Sequence, residues 1–369
     1  MKFNTPFKLF ANCVIVKGYN RSTICDLQRN DVRTIPNDLY DILTNHEDKT
    51  INEIKKQYNN EFDEIIDEYF QFLFDNEFVF FTKQIAIFPS LSLKWSDPTI
   101  ISNSIIDIDK NSSYDVLKVL KQLDDLHCRH LEIRNFDVAR IDVMENMLVF
   151  LKENESSIQS IEILLPFFKD IEKWITSITN QFLRIDFIRV FNSSINQNIV
   201  PKGNSKAHVM YTKQHYESEL CCGKISQNFF AANMKAFTES VNHNSCLNKK
   251  LSIDKNGNIK NCPSMQNGFG SVNDTQLKDI IIDKEFTNVW SITKDQISVC
   301  KDCEFRHICT DCRAYKENPT DEFSKPLKCG YSPYTNEWED WSINPLKKEA
   351  ISYYKLKAVT EKPKKSKSN

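Results

Sequence analysis

The stretch CKDCEFRHICTDC, which runs from Cys300 to Cys312, decides how this sequence of 369 residues is organised. It contains two Cys-x2-Cys pairs, and three further cysteines surround it at Cys246, Cys262 and Cys329. Clustered thiols in a reducing cytosol are more often metal ligands than disulfides, and the sequence has no recognisable secretory signal. Seven cysteines exceed the four ligands of one closed zinc site, so the spacing predicts at least two metal centres.

The spacing leaves the identity of the metal open. Thiolates are soft ligands that select zinc, copper(I) or iron–sulfur clusters. The segment LSIDKNGNIKNC, residues 251–262, predicts a β-hairpin around an Asn-Gly turn, with Cys262 at the end of its second strand. Gly257 then supplies the positive φ that the turn requires. Iron–sulfur clusters and a pair of zinc sites are both compatible with this framework.

The cysteine pattern resembles the SPASM domain of radical-SAM peptide maturases, which reads Cys-x(9–15)-Gly-x4-Cys, a gap, Cys-x2-Cys-x5-Cys-x3-Cys, a gap, and Cys. This chain departs from it at one place, because only two residues separate Cys309 from Cys312. The resemblance implies two auxiliary [4Fe-4S] clusters, with zinc as the alternative. It implies the ligands Cys300, Cys303, Cys309 and Cys329 for the second cluster, and Cys246, Cys262 and Cys312 for the first, whose fourth ligand is either open or supplied by Cys221 or Cys222.

The residues beside the cysteines narrow the resemblance to one group of SPASM-domain proteins. The stretches NCPSM (261–265), CKDCEFR (300–306) and CTDCRAY (309–315) look like the SPASM-domain maturase of grasp-with-spasm systems. Proteins of that group act in the maturation of ribosomally synthesised, post-translationally modified peptides, beside a short precursor peptide and an ATP-grasp ligase. The resemblance therefore implies a precursor peptide and an ATP-grasp ligase as partners of this chain.

Residues 1–84 predict a small β–β–α–α–α–β module. Strands are expected at 7–17, 22–27 and 78–81, and helices from Pro36, over 51–58 behind a Thr50–Glu53 capping box, and over 62–76. This order resembles the PqqD-like winged helix of peptide maturases. In that family the precursor leader adds as a strand to the sheet edge, which here implies residues 7–16 and the helix at 62–74. A helical cap without a ligand is the alternative.

Residues 85–220 predict an α/β unit. Asp107 lies near a strand end but has no partner at a spacing that suggests catalysis. Alternating strands and helices favour parallel βαβ units in an open sheet or partial barrel. The strands are expected at 85–93, 130–134, 160–165, 185–190 and 208–211, and the helices at 113–126, 139–152 and 168–182. Residues 221–345 are expected to form the cysteine-rich domain, and residues 346–369 a helical end with a basic, disordered tail.

The sequence lacks two elements that radical-SAM chemistry needs. Upstream of Cys221 only three isolated cysteines occur, so there is no Cys-x3-Cys-x2-Cys triplet, and residues 98–106 contain none. No glycine lies between Gly18 and Gly203, which excludes the family's Gly-Gly-Glu element, dinucleotide fingerprints and phosphate loops from that stretch. The resemblance thus implies a degenerate radical-SAM-like (β/α) barrel that does not cleave S-adenosylmethionine. A third cluster on Cys221 and Cys222 is the remaining alternative.

Charge and hydropathy exclude other partner classes. The net charge of −2 and a pI near 6.4 give no attraction to nucleic acid or anionic membranes. No run of about 18 apolar residues is present to span a membrane. We therefore expect a cytoplasmic maturation protein that binds a precursor peptide and acts with an ATP-grasp ligase. The alternatives are an iron–sulfur enzyme that modifies the peptide itself and a zinc-stabilised interaction protein.

Overall fold

The computed structural model describes residues 4–203, 205–216 and 218–356 of a mixed α/β protein. The strands are Phe7–Leu9 (β1), Cys13–Val16 (β2), Arg21–Asp26 (β3), Asp31–Pro36 (β4), Val79–Phe81 (β5), Asn103–Ile108 (β6), His130–Asn135 (β7), Ser160–Pro166 (β8), Ile185–Phe191 (β9), Gln197–Ile199 (β10), His208–Tyr211 (β11), Lys250–Ile253 (β12), Ile259–Lys260 (β13), Tyr331–Ser332 (β14) and Glu337–Trp338 (β15). The α-helices are Asn37–Asn45 (α1), Ile51–Gln57 (α2), Asp63–Asp75 (α3), Val116–Asp125 (α4), Ile141–Glu153 (α5), Ile171–Gln181 (α6), Met234–Asn242 (α7), Leu277–Ile280 (α8), Lys284–Asn288 (α9) and Lys348–Tyr353 (α10).

The N-terminal module packs three helices against two small sheets. Strands β2, β3 and β4 form an antiparallel sheet, and β1 pairs with β5. The three helices confirm the sequence prediction, and Thr50 forms the expected capping box with Glu53. The strand expected at 7–17 is divided by a turn in which the Cys13 amide donates to the Phe10 carbonyl at 2.8 Å. Strand β4 is additional, because its largely exposed residues carry no apolar alternation that would predict it.

The central sheet has eight strands in the order β10-β11-β9-β8-β7-β6-β12-β13. All pairs from β12 to β11 are parallel, and β10 and β13 add antiparallel strands at the two edges. Helices α4, α5 and α6 pack their apolar residues on one face of the sheet. The four predicted strands from 130 onward and all three predicted helices are therefore confirmed, as is the parallel arrangement.

The cysteine-rich region contributes to this sheet. Its predicted hairpin is confirmed as β12 and β13, and Gly257 in the turn has φ +82°. Strand β12 pairs in parallel with β6, and Leu251 and Ile253 enter the same apolar core as the three helices. Strands from both sides of residue 220 thus share one sheet, while the domain boundaries at residues 84, 220 and 345 stay predictions.

One expected strand is wrong. Residues 85–93 form the short 3-10 turn Ile85–Ile87 followed by irregular chain, and no described strand pairs with them. Pro89 has no N–H group to donate to a ladder, which disfavours a strand at that point. The first parallel strand is instead β6. The loop that follows it therefore comprises residues 109–115, not 98–106, and it also contains no cysteine.

The C-terminal part of the described chain agrees with the expected helical end, since α10 follows the cysteine-rich region. The disordered basic tail was expected mainly at residues that lie outside the described ones. Among the described helices, none is long and apolar enough to cross a membrane.

Candidate metal centres

The four cysteines assigned to the second cluster lie in one buried region. The Cys303 amide donates to the Cys300 carbonyl at 3.0 Å, which folds this pair into a tight turn. Cys309, Cys329 and Cys303 pack into one apolar cluster with Phe305. Burial raises the pKa of the Cys300 thiol to about 12, and the nearby Cys329 and Cys309 groups contribute in the same direction. The fold therefore makes these four thiols neighbours.

Lys294 is a buried cation beside this group. It is only 4% exposed, and its Nζ atom donates to Cys309 Sγ at 3.2 Å and to the Thr310 carbonyl at 3.1 Å. Burial opposes the charge on Lys294, but Cys309 and Cys300 outweigh it and raise the lysine pKa. An ammonium group is costly to bury unless negative charge compensates it. Lys294 thus places a positive charge directly beside the Cys309 sulfur.

Cys246, Cys262 and Cys312 make up a second neighbourhood. Burial raises the pKa of Cys262 to about 12, with further contributions from Cys222 and Cys246. Burial likewise raises the pKa of Cys312 to about 11, and Cys246 adds to this effect. The Lys250 Nζ atom lies 3.8 Å from Cys246 Sγ, so this group also has a cation at its side. These three cysteines are therefore neighbours in the fold, and their assignment to one centre stays a prediction.

Cys222 reaches the same neighbourhood from a different part of the chain. Arg134 donates from Nη1 to Cys222 Sγ at 2.7 Å, and from Nε and Nη2 to the two carboxylate oxygens of Asp107 at 2.6 and 2.7 Å. Arg134 and Asp107 are paired in register on β7 and β6, and both are at most 1% exposed. Burial raises the pKa of Asp107 to about 7, against the opposing effect of Arg134.

Cys221 and Cys222 differ in their acidity although they are adjacent. The hydrogen bond between the two side chains lowers the pKa of Cys222 to about 6, and Arg134 acts in the same direction against burial. The same hydrogen bond and burial raise the pKa of Cys221. Of the two adjacent sulfurs, Cys222 is the one that accepts a hydrogen bond from Arg134.

The N-terminal module contacts the second group of cysteines directly. Glu304 follows Cys303 and accepts a hydrogen bond from Arg21 Nε at 2.7 Å, and another from the Tyr331 hydroxyl at 2.5 Å. The Thr23 hydroxyl donates to the Glu304 carbonyl at 2.9 Å. Residues of β2 and β3 also share an apolar cluster with the cysteine-rich region. The sheet β2-β3-β4 is thereby fixed against this predicted centre.

A polar cavity lies on the sheet face opposite the helices. Its volume is about 180 Å³, and Asn103, Ile105, His130, Glu132, Glu162 and Lys250 are among its lining residues. Glu132 and Glu162 are paired in register on β7 and β8. Burial raises the pKa of Glu162, and the charge of Glu132 raises it further. Through Lys250, which contacts Cys246, the cavity adjoins the first group of cysteines.

The donor chemistry fits iron–sulfur clusters. Buried thiols with cations beside them provide the ligands and the charge compensation that clusters require. Within the described chain, no three Cys, His, Asp or Glu side chains converge as ligands of a single metal ion. The thiolates of a cluster bind separate iron atoms, so a cluster does not need that convergence. The residues that would hold clusters are the cysteines assigned from the sequence, and this assignment stays a prediction.

Sequence reasoning missed Arg134 and the lysines at this site, and it recorded Asp107 without a partner. One signal was available in β7, where Leu131 and Ile133 alternate with Glu132 and Arg134. Parallel strands are usually apolar on both faces because helices cover both. Charged residues at alternate positions therefore indicate a face that is not covered by helices. Nothing in the sequence pairs Arg134 with Cys222, which lies 88 residues away.

Comparison with known proteins finds a family match for part of the chain. A crystal structure of SuiB from Streptococcus suis, bound to the precursor peptide SuiA, aligns over 86% of this chain and 98% of that chain, with 10% identity and a TM-score of 0.33. Likeness at this level determines neither fold nor function. No curated protein matches the chain. Residues 245–304 match the SPASM family, described as an iron–sulfur cluster-binding domain, so the segment that contains the first four predicted SPASM cysteines is similar to that domain.

Proposed function

We propose that this protein takes part in the maturation of a ribosomally synthesised, post-translationally modified peptide in the cytoplasm. It binds the precursor peptide, holds two auxiliary [4Fe-4S] clusters and acts with an ATP-grasp ligase of a grasp-with-spasm system. The observation that carries the proposal is the SPASM-like spacing of seven cysteines, whose thiols the fold gathers into two buried neighbourhoods.

The N-terminal module is the proposed leader-binding domain, in the manner of a PqqD-like winged helix. Strand β2 is an edge strand of its three-stranded sheet, so its outer backbone groups are available for an added strand. Phe62 at the N-cap of α3, and Ile65 and Phe74 on the helix, are between 45% and 49% exposed, although large apolar side chains are usually buried. The edge and the helix thus offer backbone hydrogen bonds and apolar contacts to an extended peptide.

The proposed place for the modified part of the peptide is the polar cavity on the open face of the sheet. Glu132 and Glu162 make no ion pair with any described residue, so their charges are free to bind a basic group of the peptide. Lys250 separates them from Cys246. A peptide bound there would lie next to the first cluster and would be presented to the partner ligase.

The middle α/β unit is the proposed degenerate barrel. The chain has no cysteine triplet, and the loop after the first parallel strand has no cysteine at all. At the ends of β6 and β7, the buried Asp107–Arg134 pair is directed to Cys222. Chemistry supplied by the clusters would therefore be electron transfer or structural support, with no cleavage of S-adenosylmethionine.

Three measurements on the full chain test the proposal: a metal analysis, a test for cleavage of S-adenosylmethionine, and an assay of leader binding. Anaerobic purification followed by iron, sulfide and zinc analysis separates clusters from zinc, and a colourless protein with stoichiometric zinc would contradict the cluster assignment. Incubation with S-adenosylmethionine and a reductant is expected to give no 5′-deoxyadenosine, and its appearance would contradict the degenerate barrel.

Binding of the leader is tested with the fluorescently labelled leader of a precursor peptide encoded beside this protein. Phe74→Ser on α3 is expected to weaken binding at least tenfold, because it removes an exposed aromatic contact. Phe167→Ser is a matched control at a similarly exposed phenylalanine in the middle unit, outside the N-terminal module. Equal affinities of wild type and both variants, or no binding by wild type, would refute the recognition role.

A further inference from the structure

We propose that Cys222 supplies the fourth thiolate of the first cluster and that Arg134, held by Asp107, donates a hydrogen bond to this cluster ligand. The inference depends on iron–sulfur binding by the cysteine-rich region and not on the identity of the peptide. It assigns the fourth ligand of the first cluster, which the cysteine spacing leaves unassigned. It also distinguishes Cys222 from its neighbour Cys221.

The chain that carries Cys222 is fixed against the first group of cysteines by several contacts. The Ser264 hydroxyl, two residues after Cys262, donates to the Glu219 carbonyl at 3.1 Å. Lys328 Nζ donates to the carbonyls of Leu220 and Cys222, both at 2.6 Å. These bonds hold residues 219–222 in one conformation between Cys262 and Lys328, which immediately precedes Cys329.

Gly223 brings the backbone to Cys312. Its φ is +79°, and a Cβ atom at this position would lie 2.7 Å from Cys312 Sγ and 3.0 Å from Tyr315 Cδ2. Such a distance is too short for any side chain, so only glycine allows this approach. The backbone beside Cys222 therefore lies against Cys312, an assigned ligand of the first cluster.

Arg134 then determines which sulfur of the vicinal pair faces the cluster. Its Nη1 atom lies 2.7 Å from Cys222 Sγ, while Asp107 accepts from Nε and Nη2. The guanidinium group cannot rotate without breaking the bidentate pair, and it is fully buried. It thus provides a fixed N–H donor and a positive charge for a thiolate at Cys222. Within the described chain, no arginine or lysine donates a hydrogen bond to the Cys221 sulfur.

Ligation by Cys222 follows ordinary metal–thiol chemistry. The S–H bond breaks, its proton passes to solvent, and the sulfur forms a bond to iron without a change in the oxidation state of sulfur. With Cys246, Cys262 and Cys312, this gives four thiolates and leaves no iron of the first cluster open to substrate. The cluster would then act as an electron carrier or structural element. A hydrogen bond and a positive charge at a ligand sulfur favour the reduced state, so Arg134 would raise the reduction potential.

The test compares Cys222→Ala with Cys221→Ala, each in the full chain purified and reconstituted anaerobically. Two complete clusters contain about eight iron atoms per chain. Cys222→Ala is expected to lose one to four of them or to give the EPR signal of a three-iron cluster after oxidation, whereas Cys221→Ala keeps the iron content and spectra of wild type. Unchanged iron and spectra in Cys222→Ala, or the loss in Cys221→Ala instead, would overturn the assignment.

Arg134→Gln gives a second readout that does not depend on deleting a ligand. It keeps a polar side chain but removes the charge, and we expect the reduction potential of the first cluster to fall while the second cluster keeps its potential. Arg134→Lys retains the charge and should recover part of the shift. An unchanged potential in Arg134→Gln contradicts the contact to Cys222. If wild type binds eight iron atoms and Cys222→Ala keeps all of them with unchanged spectra, the assignment of Cys222 is refuted while the cluster proposal stands. If the leader peptide fails to bind, only the proposed function is refuted.

Discussion

The contact between the N-terminal module and the second group of cysteines can be tested by replacing Arg21 with methionine. Arg21 donates to Glu304 at 2.7 Å; its side chain is 32% exposed, whereas that of Glu304 is 0% exposed. Methionine retains most of the aliphatic length of arginine and removes the charge. The variant therefore leaves a buried carboxylate without its cationic partner.

The size of the effect follows from the burial of Glu304. Removing one partner of a fully buried ion pair costs about 3–5 kcal/mol. Two features reduce this cost: Arg21 is already partly hydrated, and the Tyr331 hydroxyl still donates to the carboxylate. We therefore expect Arg21→Met to destabilise the contact by about 2–3 kcal/mol, which corresponds to a roughly 30- to 150-fold increase in local opening.

Amide hydrogen exchange of β2 and β3 in the full chain measures this opening. Arg33→Met is the matched control, because Arg33 lies on the neighbouring strand and pairs with Asp31 at 3.0 Å, but both side chains of this pair are substantially exposed. Its effect is expected to be below about 1 kcal/mol. Exchange in Arg21→Met within threefold of wild type, or an equal effect of the two variants, would refute the role assigned to the buried pair.

Three further substitutions test local features. Thr50→Ala removes the α2 capping box and is expected to lower the unfolding free energy by about 1 kcal/mol in urea titrations; no change would contradict the cap. Gly257→Ala forces a Cβ into a positive-φ turn and should cost about 1–2 kcal/mol by the same assay, whereas Gly268→Ala, at ordinary φ and with only van der Waals contacts of 3.8–3.9 Å for the added Cβ, should be near neutral. Lys294→Met removes the cation at the second group and should lower the potential of its cluster in anaerobic titrations, while the exposed Lys301→Met leaves it unchanged; equal potentials would contradict the contact.

Short-range patterns explain the parts of the fold that the sequence predicted well. The capping box at Thr50 and the helices at α1 to α6 depend on residues within a few positions of one another. The parallel strands β7, β8 and β9 follow from short apolar runs between helical segments. The turn at Gly257 follows from its Asn-Gly pair. Each of these features is specified by about twenty consecutive residues, and tertiary contacts only stabilise it further.

The failure at residues 85–93 has the opposite origin. The segment has apolar residues at alternate positions, as a strand would, but Leu91 and Leu93 pack onto the apolar cluster shared by the N-terminal module and the cysteine-rich region. These apolar side chains therefore contact distant parts of the chain and do not belong to a β-sheet. Strand β6 occupies the position of the first parallel strand because it lies between β7 and β12 in the central sheet.

By itself, the sequence determined the seven candidate cysteine ligands, the absence of a radical-SAM triplet, the hairpin β12–β13 and the helices and parallel strands from α4 to β11. These properties depend on residue type and spacing along the chain. Only the tertiary structure decided that Arg134 meets Cys222 across 88 residues and that Arg21 meets Glu304 across 283. Spacing specifies which groups are available, but charges and hydrogen-bond donors act over a few ångströms. Their partners are therefore fixed only when the sheet, the hairpin β12–β13 and the N-terminal module have packed together.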